Sequence, residues 1–233
     1  MNEQEVLQVL RKVGAVITDS HIVYTSGKHG TAYINKDAIY PHTAETSFLC
    51  EAIAGQFLDD NVEVVIAPAV GGVILSQWTA HWLTQFLQRE VLGVYAEKKT
   101  DSFLHPDCIG IPGATRSAYS ETGDFIIKRG YDKIVYNKRV AVVKDLLNTG
   151  GSVRKVVFAV RACGGNVVGV GVLCNRGGVT LADLGGVPKL IALANVKMDS
   201  WDEKDCPLCS QGVPINTDVG HGREFLARGQ YAR

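Results

Sequence analysis

The stretch that most constrains this chain runs from Val140 to Ser152, Val-Ala-Val-Val-Lys-Asp-Leu-Leu-Asn-Thr-Gly-Gly-Ser. It opens with four apolar, mostly β-branched residues, the mark of a strand buried on both faces. Asp145 ends that run with a charge. After Gly150, Gly151 and Ser152 come Val153, Val156, Val157 and Val160 at helical spacing. The pattern is strand, tight loop, helix. Glycines at 150 and 151 permit positive φ and let a ligand approach the backbone. Successive N–H groups in such a loop form an anion nest, backed by the positive end of a helix starting near Ser152. The hydroxyls of Thr149 and Ser152 add donors. A phosphate fits there.

The loop is not a Walker loop, because no Gly-Lys-Ser/Thr follows, and it is not the dinucleotide fingerprint, whose glycines follow the strand directly. It resembles the thirteen-residue phosphoribosyl-pyrophosphate (PRPP) loop of the type I phosphoribosyltransferases: four apolar residues, two acids, two apolar residues, then Thr-Thr-Gly-Gly-Ser/Thr. Lys144 stands where the first acid is usual, and Asn148 replaces the first Thr. By that resemblance, residues 144, 145 and 148 to 152 (Lys144, Asp145, Asn148, Thr149, Gly150, Gly151, Ser152) hold the ribose and its 5-phosphate.

A second strand–glycine–helix unit precedes this one. Val62 to Ala67 reads as a buried strand, Pro68-Ala69-Val70-Gly71-Gly72-Val73 as a loop, and the apolar segment through Leu87 as a helix. In the resembled family this loop receives pyrophosphate, which assigns Ala69, Val70, Gly71 and Gly72 to that role. Gly71 stands where a lysine is usual. The family often has a cis non-proline bond here, and Ala69–Val70 is the place to expect it. Two anion-ready loops on adjacent strand ends suit a substrate with phosphates at both ends. Val91 to Ala96 is a third strand, ending in Glu97-Lys98-Lys99. Lys98 matches a catalytic family lysine that stabilises the departing pyrophosphate, with Lys99 beside it, whereas Glu97 departs from an arginine. The polar, Pro- and Gly-broken segment that follows is too long for an ordinary connection, and the resemblance makes residues 99–124 a mobile lid. Arg129, on the way back, reads either as a ligand or as a solvated surface residue.

Two further features point to orotate as the base. The block from His21 to Asn35 holds a Ser26-Gly27-Lys28-His29-Gly30 turn between apolar-rich runs, as at the start of orotate phosphoribosyltransferases, where it forms a hood over the base. Thr25 replaces a lysine usual there, leaving Lys28 as a candidate anion-binding residue or a solvated turn lysine. After the strand Val167–Leu173 comes Arg176, where orotate enzymes place an arginine on the base's carboxylate. A forked guanidinium suits a planar carboxylated ring better than an ammonium.

Alternating strands and helices imply an α/β fold: an open, mainly parallel sheet with helices on both faces, plus a small hood subdomain. The expected organisation is a phosphoribosyltransferase domain over 1–200, its hood drawn from about 1–40 and the C-terminal part, and a tail over 201–233. That tail carries Cys206-Pro207-Leu208-Cys209, half of a usual zinc site. A partner such as His221, another cysteine or a second chain would complete a structural metal site; redox activity and plain free thiols are the other readings. Lys+Arg and Asp+Glu balance at 24 each, so no global field recruits nucleic acid or membrane. No apolar run approaches a membrane span and the N-terminus is no signal peptide, so the expected compartment is the cytoplasm, with most of the six cysteines free.

The resemblance implies a PRPP-dependent pentosyltransferase that converts orotate to orotidine 5′-monophosphate and pyrophosphate. It implies Mg2+ held by substrate and water oxygens rather than by protein, Asp145 as the acceptor facing developing positive charge, and a homodimer. Two alternatives share the fold. One is another base phosphoribosyltransferase. The other is a PRPP-binding regulatory protein without activity, which Lys144 in an acid's position motivates.

Overall fold

The computed structural model describes residues 1–99, 125–196 and 198–230, so residues 100–124 of the expected lid lie outside the described residues. The chain divides into two compact units. The larger comprises Met1–Val6 and Thr43–Val196, and the smaller comprises Leu7–His42 and Lys197–Arg233.

The first helix, α1 (Glu3–Lys12), begins in the larger unit and continues into the smaller. In the smaller unit, short strands β1 (Val16–Ile17), β2 (Ile22–Val23), β3 (His29–Gly30) and β4 (Tyr33–Ile34) follow. The expected Ser26–Gly30 turn is shorter in fact, because His29 and Gly30 already pair with Val23 and Ile22.

The larger unit is built on α2 (Thr43–Gly55), β5 (Val64–Pro68), α3 (Gly72–Leu87), β6 (Leu92–Lys98), β7 (Phe125–Ile126), α4 (Tyr131–Val135), β8 (Arg139–Leu147), α5 (Gly151–Ala162), β9 (Asn166–Asn175) and β10 (Leu190–Asn195). Back in the smaller unit come β11 (Ser200–Trp201), α6 (Pro207–Ser210) and α7 (Gly222–Gln230). The main sheet runs β10-β9-β8-β5-β6-β7, parallel except for β7. No helix among the described residues is long and apolar enough to cross a membrane.

The strand β9 shows how composition sets the layers. Its Val170 and Val172 join Ile66, Val142, Val156 and Val160 in a core beneath α5. The alternating Gly169 and Gly171 face the other way, where a Cβ at Gly171 would stand 2.7 Å from Ile53 Cγ2 and one at Gly169 2.8 Å from Phe57 Cε1. Glycine there lets α2 press onto the sheet. A register irregularity between Val140 and Ala141 places Val167 and Gly169 opposite successive residues of β8, so Val168 is the extra residue of a bulge.

One sequence expectation changes. The strand does not end at Asp145 but continues through Leu147, because Leu146 and Leu147 still pair with Cys174 and Asn175. A charge inside a buried strand is tolerated here because the adjacent lysine meets it.

Candidate functional site

Strand order decides what converges. The chain steps from β5 to β6 in one direction, then returns to β8 on the other side of β5 and continues to β9 and β10. The sheet therefore has its topological switch between β5 and β8, where open α/β sheets bind ligands beyond the strands' carboxyl ends. The segments after β9, β8, β5 and β6 present, in that spatial order, Arg176; residues 148–152; residues 69–72; and Lys98 with Lys99. With strands about 4.8 Å apart, this row spans roughly 14 Å.

Both central loops lead into helices that lack a side-chain cap. Gly150, at φ 74°, precedes α5, and Gly71 precedes α3; neither helix start has a side-chain cap hydrogen bond. Val73 N donates to Val70 O at 3.1 Å and Gly151 N to Thr149 Oγ1 at 3.5 Å; each helix start still turns the positive end of its dipole toward the loop, where an anion is favoured. Asn148, Thr149 and Ser152 are exposed around the first loop. A side chain at Gly150 would be strained by the positive φ and would crowd Leu184 Cδ2 at 2.8 Å and Val179 Cγ1 at 3.0 Å. In the second loop the Ala69–Val70 bond is cis, as expected from sequence. Val70 is 86% exposed, Gly71 is half-buried, and Gly72 is buried with its Cβ position 2.7 Å from Ala67 Cβ, so α3 starts hard against β5.

Asp145 is buried, yet not in apolar surroundings. Its Oδ1 accepts from Leu146 N at 2.6 Å and from Lys144 Nζ at 2.5 Å. Lys144, standing where an acid is usual in the resembled loop, pairs with Asp145. Lys98 and Lys99 are exposed at the end of β6. Glu97, half-buried beside them, accepts from Arg129 Nε at 2.7 Å and lies 3.9 Å from Lys128 Nζ. That carboxylate raises the Arg129 pKa and engages a residue that sequence reading offered as a ligand.

Arg176 is half-buried just past β9. Its N–H and that of Gly177 both donate to Leu147 O, at 2.8 and 3.1 Å, which ties the 176–178 turn to the start of the 148–152 loop. Asn175 holds the other side of that turn, donating to Val179 O and accepting from Val179 N. The close approach of Gly177 to Asn148 was missed in sequence reading, and a Gly-Gly pair alone carried no signal of it. Burial pushes the thiols of Cys50 and Cys174 up, to about 12 and about 11, so neither is a ready nucleophile.

In the smaller unit Lys28 is exposed, with Nζ 3.6 Å from Asp202 Oδ1. Cys206 and Cys209 also lie there, beside His21 and His29. His221, named from sequence as one partner, instead places Nε2 3.0 Å from Thr25 Oγ1.

No family model matches the chain. It is similar to an orotate phosphoribosyltransferase from Pelotomaculum thermopropionicum, 34% identical over 92% of this chain and 95% of that protein. One from Desulforamulus reducens is 32% identical over the same shares. Among solved structures, orotate phosphoribosyltransferase from Aeropyrum pernix superposes with a TM-score of 0.58 at 25% identity, covering 82% of this chain and 93% of that one. An adenine phosphoribosyltransferase from Thermoanaerobacter pseudethanolicus, at TM-score 0.56 and 19% identity over 84% of this chain and all of that one, shares the fold.

Proposed function

Because the chain belongs to the orotate phosphoribosyltransferase family, we propose that it transfers ribose 5-phosphate from PRPP to a ring nitrogen of orotate, giving orotidine 5′-monophosphate and pyrophosphate. The observation that carries this reading is the row of groups along one sheet edge. A guanidinium, a phosphate nest, a second nest and a lysine pair stand in the order that base, ribose 5-phosphate, pyrophosphate and leaving charge require.

In this scheme the N–H groups and hydroxyls of residues 148 to 152 grip the 5-phosphate, and residues 69 to 72 receive pyrophosphate. Arg176 orients the carboxylate of orotate. As the bond at the anomeric carbon stretches, positive charge develops on the ribose. Asp145 offsets that charge, with ribose hydroxyls competing against Lys144 for its oxygens. Lys98 and Lys99 stabilise the departing anion. Positioning and electrostatics supply the rate enhancement, with no covalent nucleophile.

The donor set fits a magnesium ion carried by PRPP rather than one caged by the protein. The carboxylates at these tips, Asp145 and Glu97, each face a cation, and Asn148, Thr149 and Ser152 offer neutral oxygens. When bound, such an ion would be held through substrate phosphates and water and would supply charge neutralisation to the pyrophosphate. The same family reading makes the working form a cytoplasmic homodimer.

The Lys144–Asp145 pair favours one rival, a PRPP-binding regulator in which the carboxylate stays committed to the lysine. A turnover assay with PRPP, Mg2+ and orotate or adenine, run beside calorimetry with PRPP, separates the readings. Orotidine 5′-monophosphate formed from orotate supports the proposal. Product from adenine alone removes orotate, and PRPP binding without turnover favours the regulator.

A further inference from the structure

Four ligand-bearing side chains that phosphoribosyl transfer does not use meet within the smaller unit. His21, His29, Cys206 and Cys209 each direct one ligand atom to a common point, and these atoms all lie within 4.8 Å of one another. His21 Nε2 is 2.9 Å from His29 Nδ1, 3.6 Å from Cys206 Sγ and 3.7 Å from Cys209 Sγ. Cys209 Sγ is 3.3 Å from His29 Nδ1. A tetrahedral ion with metal–sulfur bonds of about 2.3 Å and metal–nitrogen bonds of about 2.0–2.1 Å has N–N edges of about 3.3 Å and N–S edges of about 3.6 Å. The four observed edges fall close to those of such a tetrahedron.

Local structure explains the convergence. His29 pairs with Val23 across the β2–β3 hairpin, so His21, two residues before Val23, projects on the same face as a diagonal neighbour. The short helix α6 starts between the cysteines, with Ser210 N donating to Cys206 O, which brings both sulfurs to one side. His21 Nδ1 lies 2.8 Å from Val213 O. A carbonyl only accepts, so Nδ1 carries the proton and Nε2 presents its lone pair to the cluster. His21, His29 and Cys206 are almost wholly buried, at 2%, 0% and 2% exposure. A dication with two thiolates and two neutral imidazoles is net neutral, the form of such a cluster that burial tolerates best.

We propose that His21, His29, Cys206 and Cys209 form a closed Cys2His2 site for a zinc ion that staples the C-terminal tail to the N-terminal hairpin. Four protein ligands leave no open position, which makes the site structural rather than catalytic, and thiolate with imidazole selects zinc over magnesium. The need is physical. The unit is assembled from two separate chain segments, Leu7–His42 and Lys197–Arg233. Assemblies of that size rarely hold together on an apolar core alone.

The test uses the full chain, purified with reductant and without chelator. Elemental analysis is expected to find one zinc per chain. Exchange for cobalt(II) should give the intense visible bands of a tetrahedral ion and a near-ultraviolet thiolate charge-transfer band. Cys209→Ser should lose most of the metal, His221→Ala should keep it, and a strong chelator should lower the melting temperature of the wild-type and His221→Ala chains but not that of Cys209→Ser. If Cys209→Ser does not fold, the wild-type cobalt spectrum still decides. Wild-type chain without tetrahedral cobalt bands and with far less than stoichiometric zinc overturns the proposal, as does a Cys206–Cys209 disulfide in the reduced preparation. None of these readouts depends on orotate turnover, so this proposal and the enzymatic one fail separately.

Discussion

Replacing Gly177 with alanine tests whether the turn after β9 sets the position of the 148–152 loop, proposed to hold the 5-phosphate. A Cβ on Gly177 would lie 1.5 Å from Asn148 O and 2.5 Å from Asn148 C. Both are backbone atoms, so no rotamer change relieves the overlap. Retreating from 1.5 Å even to 3.0 Å, the shortest separation real Cβ atoms show, requires a 1.5 Å displacement of one loop. The two loops are also joined where Leu147 O accepts from Arg176 N and Gly177 N, so displacement strains those bonds. Overpacking of this kind costs about 1–3 kcal/mol, roughly 3–10 °C in melting temperature for a chain of this size. A misplacement of about 1 Å at a reacting centre costs about 100-fold in rate, or about 2.7 kcal/mol. The expected result is therefore a drop of at least about 100-fold in kcat/KM for PRPP, with a lowered melting point. Gly178→Ala is the control. At φ 61° its alanine is strained, but a Cβ there meets nothing within 4 Å, so stability should fall slightly while KM for PRPP holds. A Gly177→Ala enzyme with wild-type KM and melting temperature would refute the coupling.

Three further outcomes are expected. Asp145→Asn should lower turnover by about 10²–10³-fold, the scale set by losing one group aimed at developing charge, while circular dichroism stays native; unchanged steady-state kinetics removes the assignment. Gly171→Ala should destabilise by about 1–3 kcal/mol because its Cβ would meet Ile53 Cγ2 at 2.7 Å and Phe57 Cε2 at 3.0 Å, and a denaturant midpoint equal to wild type contradicts that packing. Glu63 has its pKa lowered, first by the Lys138 side-chain hydrogen bond and then by the Arg139 N–H, from an ordinary 4.5. A carboxylate held low contributes stability that is present above its unfolded pKa and lost as pH falls through the folded one. Glu63→Gln should thus cost about 0.2–1 kcal/mol at neutral pH, modest because the side chains of Glu63 and Lys138 are 33% and 46% exposed, and the difference should vanish in acid. A difference that persists unchanged below pH 4.5 is incompatible with this cause.

How far the chain could be read without coordinates depended on the range of the interaction. Local patterns carried the site's parts. Valine runs marked β5, β8 and β9, glycine pairs marked the loops at 71–72 and 150–151, and even the cis bond at Ala69–Val70 was anticipated from the motif around it. These features are legible because a few consecutive residues dictate them through periodicity, positive φ and the absence of a Cβ. The reach of β8 past Asp145 was not legible, because it depends on pairing with Cys174 and Asn175 on another strand. Nor was the role of Gly177, whose constraint is a carbonyl nearly thirty residues away in sequence.

The chain's amino-acid order alone thus determined that two glycine loops join strands to helices and that a Cys-x-x-Cys waits near the C-terminus. Only the tertiary structure decided that β5 and β8 are neighbours, so that those loops open on one edge of the sheet. It also decided that the cysteines meet His21 and His29 rather than His221. Tertiary folding brings together His21 and Cys209, 188 positions apart, and no local pattern encodes a contact at that separation.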